Sequence, residues 1–496
     1  MTIVLEAIQG SVMRTDMIDT VIIGAGISGI GLAVNLKKNN PQQNFLILEA
    51  RHCIGGTWDL FKYPGIRSDS DMATFGFAFK TWSKDSLLAD AASIQNYLHE
   101  VVAEYQLNAQ IQFNTRVIAA NYDSDKKCWC LSLQDSLGKV SQLWAKFMVG
   151  CTGYYDYQQP YQPNFAGQEN FQGPIIHPQQ WPESLDYQNK KIVVIGSGAT
   201  AVTLVPALVK GGAAHVTMLQ RSPSYVARVA GEDHLYKKLR NKLPETLAYR
   251  LIRGRNITTQ RALYFLAQKQ PKLIKALLLK QVQQQLQNPK DLQHFQPHYM
   301  PWQQRLCAVP DGDLFQALNT QQASVVTDEI AEFSPHGLIL KSGQYVAADL
   351  VVTATGLNLQ ILGGMQLTVD GQRVDPAQHM LYQSTLMSDV PNFALIIGYI
   401  NASWTLKVDL VADYLCRLWQ FMQQHDYQEV VAQAAHHEIT EDTVMAGLNS
   451  GYIQRAQHLL PKQGVDVPWI TEHNYFADRR RFKKATFNDG ILAFRH

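Results

Sequence analysis

Asp19-Thr20-Val21-Ile22-Ile23-Gly24-Ala25-Gly26-Ile27-Ser28-Gly29 decides the fold of this chain. Thr20 to Ile23 is a β-branched run of strand length, and it passes without a linker into a G-x-G-x-x-G turn. Ile30 to Asn39 then reads as a helix, and Phe45-Leu46-Ile47-Leu48 is a second buried strand ending at Glu49. Strand, glycine turn, helix, strand and terminal acid make a complete dinucleotide-binding unit. Gly24, Gly26 and Gly29 let a pyrophosphate approach the backbone at a helix N-terminus, where free N–H groups and the helix dipole meet its charge. Glu49 is placed to accept hydrogen bonds from ribose hydroxyls.

A second unit of the same design begins at Lys191-Ile192-Val193-Val194-Ile195. Gly196-Ser197-Gly198-Ala199-Thr200-Ala201 is its G-x-G-x-x-A turn, Val202 to Val209 its helix and His215 to Gln220 its second strand. That strand runs into Arg221 where the first ran into Glu49, 25 residues after the leading glycine in both units. A carboxylate there suits a free ribose diol, whereas a guanidinium suits a 2′-phosphate. The first unit therefore reads as the site of an FAD-like ligand and the second as the site of NADP. The fold class expected is α/β, with two Rossmann-like dinucleotide-binding domains and a helical insertion in the second.

At 496 residues the chain is too long for one core. A hydrophobic content of 46% with 17% charged residues describes a soluble globular protein, and a net charge of +2 argues against nucleic acid as the main partner. The six cysteines are scattered, with no C-x-x-C pair and no Cys/His cluster at metal-ligand spacing, which fits a reducing cytoplasm and a site without metal. Residues 1–16 read as a loose leader, no signal peptide is recognisable, and no apolar stretch reaches the ~20 residues of a bilayer span. Cys151-Thr152-Gly153 and Ala354-Thr355-Gly356 each end a strand in Thr-Gly and read as crossovers. The expected boundaries are 17–155 with 346–496 for the FAD-binding domain and 156–345 for the NADP-binding domain, the latter including the insertion at 232–293. From Lys237 to Lys290 the insertion carries thirteen basic residues and one acid, Glu245, among leucine-rich pieces such as Leu273 to Leu279. It reads as a helical lid with a solvated basic face or, alternatively, as a peripheral contact with anionic lipid.

The stretch Gly55 to Asp69, just after the first unit, reads as the wall of a cofactor ring site. Gly55-Gly56 allows close backbone approach, Trp58 and Tyr63 offer flat faces, Pro64-Gly65 turns the chain, and Arg67 and Asp69 set opposite charges two residues apart. A helix is expected near Ser93–Tyr105, with strands around Ile111–Tyr122, Trp129–Gln134 and Phe147–Gly150. Val117 reads as a strand core residue, although in folds with this order that position lies beside an adenine through its backbone. Phe171 to Pro182 reads as a proline-punctuated linker in which His177 holds backbone carbonyls. Arg305, among bulky and apolar neighbours, reads as a guanidinium with a task or as half of a buried ion pair. Asn401 to Trp404 lines a cleft or caps the helix Leu406–Gln424 through Ser403.

Pairing an FAD-like site with an NADP site means hydride transfer to a flavin. A disulfide reductase would set a cysteine pair beside the flavin, and Cys53 stands alone; the electrons go to oxygen, to a partner protein or to a small acceptor. Phe171-x-Gly173-x-x-x-His177-x-x-x-Trp181-Pro182 resembles the fingerprint of the Baeyer–Villiger monooxygenases, and Gly55-Gly56-x-Trp58 followed by Tyr63-Pro64-Gly65 and Asp69 resembles their second signature. The resemblance spans roughly residues 17–420. Asp59-Leu60-Phe61, Pro301-Trp302-x-Gln304-Arg305-Leu306-Cys307 and Asn401-Ala402-Ser403-Trp404-Thr405 are similar to the ethionamide monooxygenase branch, which acts on linear and aromatic ketones, thioethers and thioamides.

The resemblance implies that Gly24, Gly26, Ser28, Gly29, Glu49, Thr57, Trp58, Asp59, Leu60, Asp69 and Val117 contact FAD. It implies that Gly196, Ser197, Gly198, Ala199, Thr200, Ala201, Val202, Gln220 and Arg221 hold NADPH, with Arg67, Ser68 and Asp69 reaching it near the flavin. Arg305 resembles the family's active-site arginine, oriented by a charge-assisted hydrogen bond that Asp69 accepts, and His177 is structural or conformational. The implied reaction takes O2 and a small ketone or sulfide, through a C4a-peroxyflavin whose anion attacks the carbonyl. The alternatives are a flavin monooxygenase that oxidises N or S, and an NADPH oxidase or electron donor.

Overall fold

The computed structural model describes residues 17–434 and 439–496; the leader expected at residues 1–16 lies outside the described residues. β1 (Ile18–Ile23), α1 (Ile27–Asn39) and β2 (Phe45–Leu48) form where the apolar pattern places them. β1 runs parallel to β2, with Ile22 opposite Ile47. β3 (Thr115–Asp123), β4 (Cys128–Asp135) and β5 (Val140–Gly150) form an antiparallel meander that closes on the other side of β1, where Ile22 lies opposite Val149. A strand paired on both edges and covered on both faces must be apolar along its length, and Val21 and Ile22 are fully buried. α1 begins after Gly26, whose extended backbone (φ −78°, ψ −174°) brings no side-chain cap, so the first N–H groups of the helix stay free to bind an anion.

The second sheet is wholly parallel, in the order β8 (Ala323–Thr327), β7 (His215–Gln220), β6 (Lys191–Ile195), β9 (Leu350–Thr353), with α2 (Ala199–Lys210) following β6. Its free edge is taken by Ile175–Ile176, with Ile175 opposite Val351. The segment expected as a plain linker thus contributes a two-residue strand, bounded by Pro174 and Pro178, which cannot extend a ladder. The chain passes between the two units at Tyr155–Pro160 and Leu357–Leu359, and these two connections pair antiparallel into a ribbon.

The basic region folds as α3 (His234–Arg240), α4 (Glu245–Lys269) and α5 (Pro271–Gln283). It packs partly on the first unit: Tyr236, Ala248, Tyr249 and Ile252 join the core around α1 and α6 (Trp404–Gln424). Arg253 Nη1 donates to the carbonyls of Ala73 (2.9 Å), Thr74 (3.2 Å) and Gly76 (2.6 Å), and its Nη2 to Asp409 (2.9 Å). Near the C-terminus, α7 (Tyr475–Lys484) is tied to α6 by Lys407 Nζ, 2.7 Å from Asp478 Oδ2. Tyr399 and Arg481 complete the Asp478 carboxylate, as a sealed charge requires. Among the described residues no helix is long and apolar enough to cross a membrane.

Candidate active site

The first glycine turn is built by exclusion. Gly24 has φ +107°, and a Cβ there would stand 2.7 Å from the Cys151 carbonyl oxygen; one on Gly29 would stand 2.0 Å from the Gly24 oxygen. Only hydrogen fits, so strand, turn and helix are locked in the close packing a pyrophosphate site needs. Glu49 is buried, with Oε2 accepting from the Ala25 N–H (2.7 Å) and Oε1 from the Arg51 N–H (2.8 Å). Burial raises its pKa, and those two N–H bonds oppose the rise. Each oxygen keeps a second lone pair for a hydroxyl. The Glu49 N–H donates to Gln112 and its carbonyl accepts from Thr115, which brings buried Val117 into the strand alongside.

Gly55 and Gly56 fold back onto this turn. The Gly55 N–H donates to the Ala25 carbonyl (3.0 Å), and Gly56, at φ +56°, would place a Cβ 3.3 Å from the Gly26 Cα. Two glycine backbones therefore face each other across a slot with no side chain between them, a fit for the diphosphate of FAD. Thr57 Oγ1 meets Tyr157 OH at 3.3 Å, and Trp58 packs edge-on against Phe75. Asp59 is turned to a charge cluster: it pairs with Arg51, with Lys62 (3.0 Å) and with the Cys53 thiol (2.9 Å). Burial would raise this carboxyl, but those hydrogen bonds outweigh it and hold it well below the usual range.

Leu60, Phe61 and Tyr63 turn to the other unit and join its core. Gly65 seals the joint: at φ +79°, an added Cβ would stand 2.6 Å from Ala207 Cβ and 2.8 Å from the Thr203 carbonyl, both on α2. Arg67 crosses the same boundary and donates to Asp313 at 2.6 and 3.5 Å, while buried Ser68 donates its N–H to Ala89. In the second turn, Gly196 (φ +145°) packs against the Ala354 carbonyl, and Gly198 has open space around it. Ser197 meets Ser224, and Ala201 and Val202 are core residues behind Ala199 and Thr200. Gln220 spends its amide N–H groups on His294 (2.7 Å) and Thr327 (2.9 Å). Arg221 stands exposed at the strand end, with no salt bridge among the described residues.

Asp69 and Arg305 share the cleft between the units. Protein surrounds both groups, yet both side chains are wetted, which is the geometry of a deep open site. Burial pushes the Asp69 carboxyl up to about 6, against the pull of Arg305 and Arg67. The hydrogen bond expected between Asp69 and Arg305 is not formed: Arg305 Nη2 donates to Tyr154 OH (3.2 Å), and Arg67 is taken by Asp313. The phenols of Tyr452, Tyr154 and Tyr155 raise the pKa of Arg305 further. Tyr154 packs against Tyr155 (4.8 Å) and Trp404 (5.5 Å), and the Trp404 indole N–H donates to Ser28 Oγ (2.7 Å). Trp404 thus lines the cleft. Ser403 does stand at the N-cap of α6, but its hydroxyl bonds Thr74 (2.6 Å) instead of the helix N–H groups. His177 is buried; its Nδ1 accepts from the Gln179 N–H and its Nε2 meets the Gly356 carbonyl, pinning the edge strand to the second crossover.

The probable FAD-binding monooxygenase AlmA of Acinetobacter baylyi is 57% identical over 477 residues, 96% of each chain. The FAD-containing monooxygenase EthA of Mycobacterium tuberculosis is 46% identical over 481 residues, 97% of this chain and 98% of its own. This chain belongs to the FAD-containing monooxygenases. A family model described as pyridine nucleotide-disulphide oxidoreductase matches residues 21–259 of the monooxygenase. Its fold is that of a steroid monooxygenase solved with NADP (TM-score 0.78, 18% identity, 97% of this chain and 99% of that one) and of OTEMO solved with FAD and NADP (0.76, 20%, 96% and 99%).

Tyr154, Tyr155, Tyr452 and Asp313 are the residues of this monooxygenase's cleft that the sequence does not announce. Tyr154 and Tyr155 directly follow the Thr152-Gly153 crossover, and their place at the domain junction was the available signal. Tyr452 reaches the cleft from far along the chain, with no local pattern to mark it.

Proposed function

We propose that this monooxygenase uses NADPH and O2 to insert an oxygen atom next to a carbonyl, turning linear or aromatic ketones into esters, and that it also oxidises sulfides and thioamides. This reading assigns FAD to residues 17–155 and 346–496 and NADP to residues 156–345. The observation that carries it is Arg305: a guanidinium deep in the cleft, held by a phenol and not by a carboxylate, where both glycine-turn units converge. When bound, FAD reduced by NADPH supplies activated oxygen to the substrate. Oxygen insertion beside a carbonyl builds negative charge on the substrate oxygen, and Arg305 is a cation that stabilises this charge without surrendering a proton. Tyr154 fixes its direction, and Tyr154, Tyr155 and Trp404 supply an aromatic wall for an apolar substrate. Arg221 holds the 2′-phosphate, and Glu49 the ribose of the other nucleotide.

Arg305→Ala tests the reading. The variant is expected to keep consuming NADPH while ester formation from a ketone falls by about 10²–10³. Sulfide oxidation, which develops no carbonyl anion, is expected to persist. Ester formation at the wild-type rate would overturn the assignment.

A further inference from the structure

We propose that the α4–α5 hairpin is a docking surface for an anionic lipid bilayer. Half of the sixteen large apolar side chains that are exposed among the described residues fall on α3–α5. Five crowd the tip, where α4 ends and α5 begins: Leu263, Phe265, Leu266, Leu273 and Leu277, each between 39% and 55% exposed. Leu273 and Leu277 are one turn apart on α5 and share a face. Apolar groups clustered this way on a surface mark a contact site.

The charges divide in a way that names the partner. Basic residues of the insertion that turn toward the protein are matched: Arg240 with Asp85, Arg253 with Asp409, Arg255 with Asp233. Those at the tip are not; Lys269 and Lys272 are exposed and make no salt bridge among the described residues, and neither does exposed Lys280 in the last turn of α5. Lys269 lies over the Phe265 ring, 5.8 Å from its centroid, so cation and apolar face are presented together. A nucleic acid would satisfy the lysines and leave the leucines wet. A second copy of the same face would bring lysines against lysines. An anionic bilayer offers headgroup charge to the lysines and acyl chains to Phe265 and the leucines at once. The inner face of α4 carries Ile257, Gln260 and Tyr264 into a pocket shared with Asn401, Ala402 and Leu406, so the docked helix has one face on lipid and the other on that pocket.

The test is co-sedimentation of the FAD-loaded enzyme with vesicles of phosphatidylcholine alone or mixed with phosphatidylglycerol, at about 0.1 M and about 1 M salt. Binding is expected only to the anionic vesicles and only at low salt. Lys269→Glu with Lys272→Glu should weaken partitioning at least about 25-fold, since each cation near an anionic surface is worth about fivefold. Phe265→Ser with Leu273→Ser should weaken it while NADPH consumption stays at the wild-type rate. Equal binding to both vesicle types, no binding by the wild type, or binding unaltered in the double variants would overturn the proposal. So would a solution dimer dispersed by Phe265→Ser with Leu273→Ser, which would make the face a contact between copies.

Discussion

A carboxylate and a guanidinium in one cleft usually close to a hydrogen-bonded pair, but Asp69 and Arg305 stay apart, and the guanidinium Nη2 donates to Tyr154. The separation leaves Asp69 titrating in a useful range. Its pKa is raised from 3.8 to about 6, so its charge is present above pH 6 and is lost as pH falls through 6. If that charge holds Arg305 in the working position, the ester formed per NADPH consumed should decline on acidification with a midpoint near pH 6. Asp69→Asn should show low coupling at every pH and no such midpoint; a midpoint that survives the substitution would assign the titration elsewhere. Spacing alone paired Asp69 with Arg67, and only the resemblance to the Baeyer–Villiger monooxygenases made Asp69 and Arg305 legible as a pair. That Arg305 donates to a tyrosine was not legible, since Tyr154 and Arg305 are 151 positions apart and only the folded cleft joins them.

Elements with a strong period were read correctly from sequence: β1, α1, β6 and α2 each announce themselves by an unbroken apolar run and a glycine turn. Ile175–Ile176 escaped because two residues carry no period, and its strand identity comes from the exposed edge of β9. The joint between α6 and α7 escaped for another reason. Lys407 and Asp478 look like surface charges in their own segments, and each is buried only because the other is there. His473 sits in this joint, with Nε2 on the Val444 carbonyl, and burial and the nearby Lys407 charge lower its pKa to about 4. A histidine kept neutral in the fold gives up stability as pH falls from about 6.5, where the unfolded chain takes its proton, to about 4. The loss across that window is about 3 kcal/mol. Urea unfolding at successive pH values should show it, and His473→Gln should flatten the curve in that window; an unchanged slope would exclude His473 as its source.

Across the whole molecule, the two nucleotide units are joined by a few defined contacts. Arg67 and Asp313 form one, a part-buried pair across the boundary. Asp313→Asn should cost about 1–3 kcal/mol in urea unfolding. In a double-mutant cycle, Arg67→Ala with Asp313→Asn should cost less than the sum of the singles; strict additivity would show that the pair contributes nothing. The two-domain plan was legible because the nucleotide motif occurs twice. The place of α3–α5 was not, because a segment inserted in the second unit takes part of its core from the first.

The second unit is fastened to the first by the ribbon of Tyr155–Pro160 with Leu357–Leu359, by α4 through Arg253, by Leu60 to Gly65 against its core and α2, and by Arg67 with Asp313. Holds spread over four chain segments resist a swing of one unit against the other, so the distance between two spin labels set across the cleft is expected to be single and narrow.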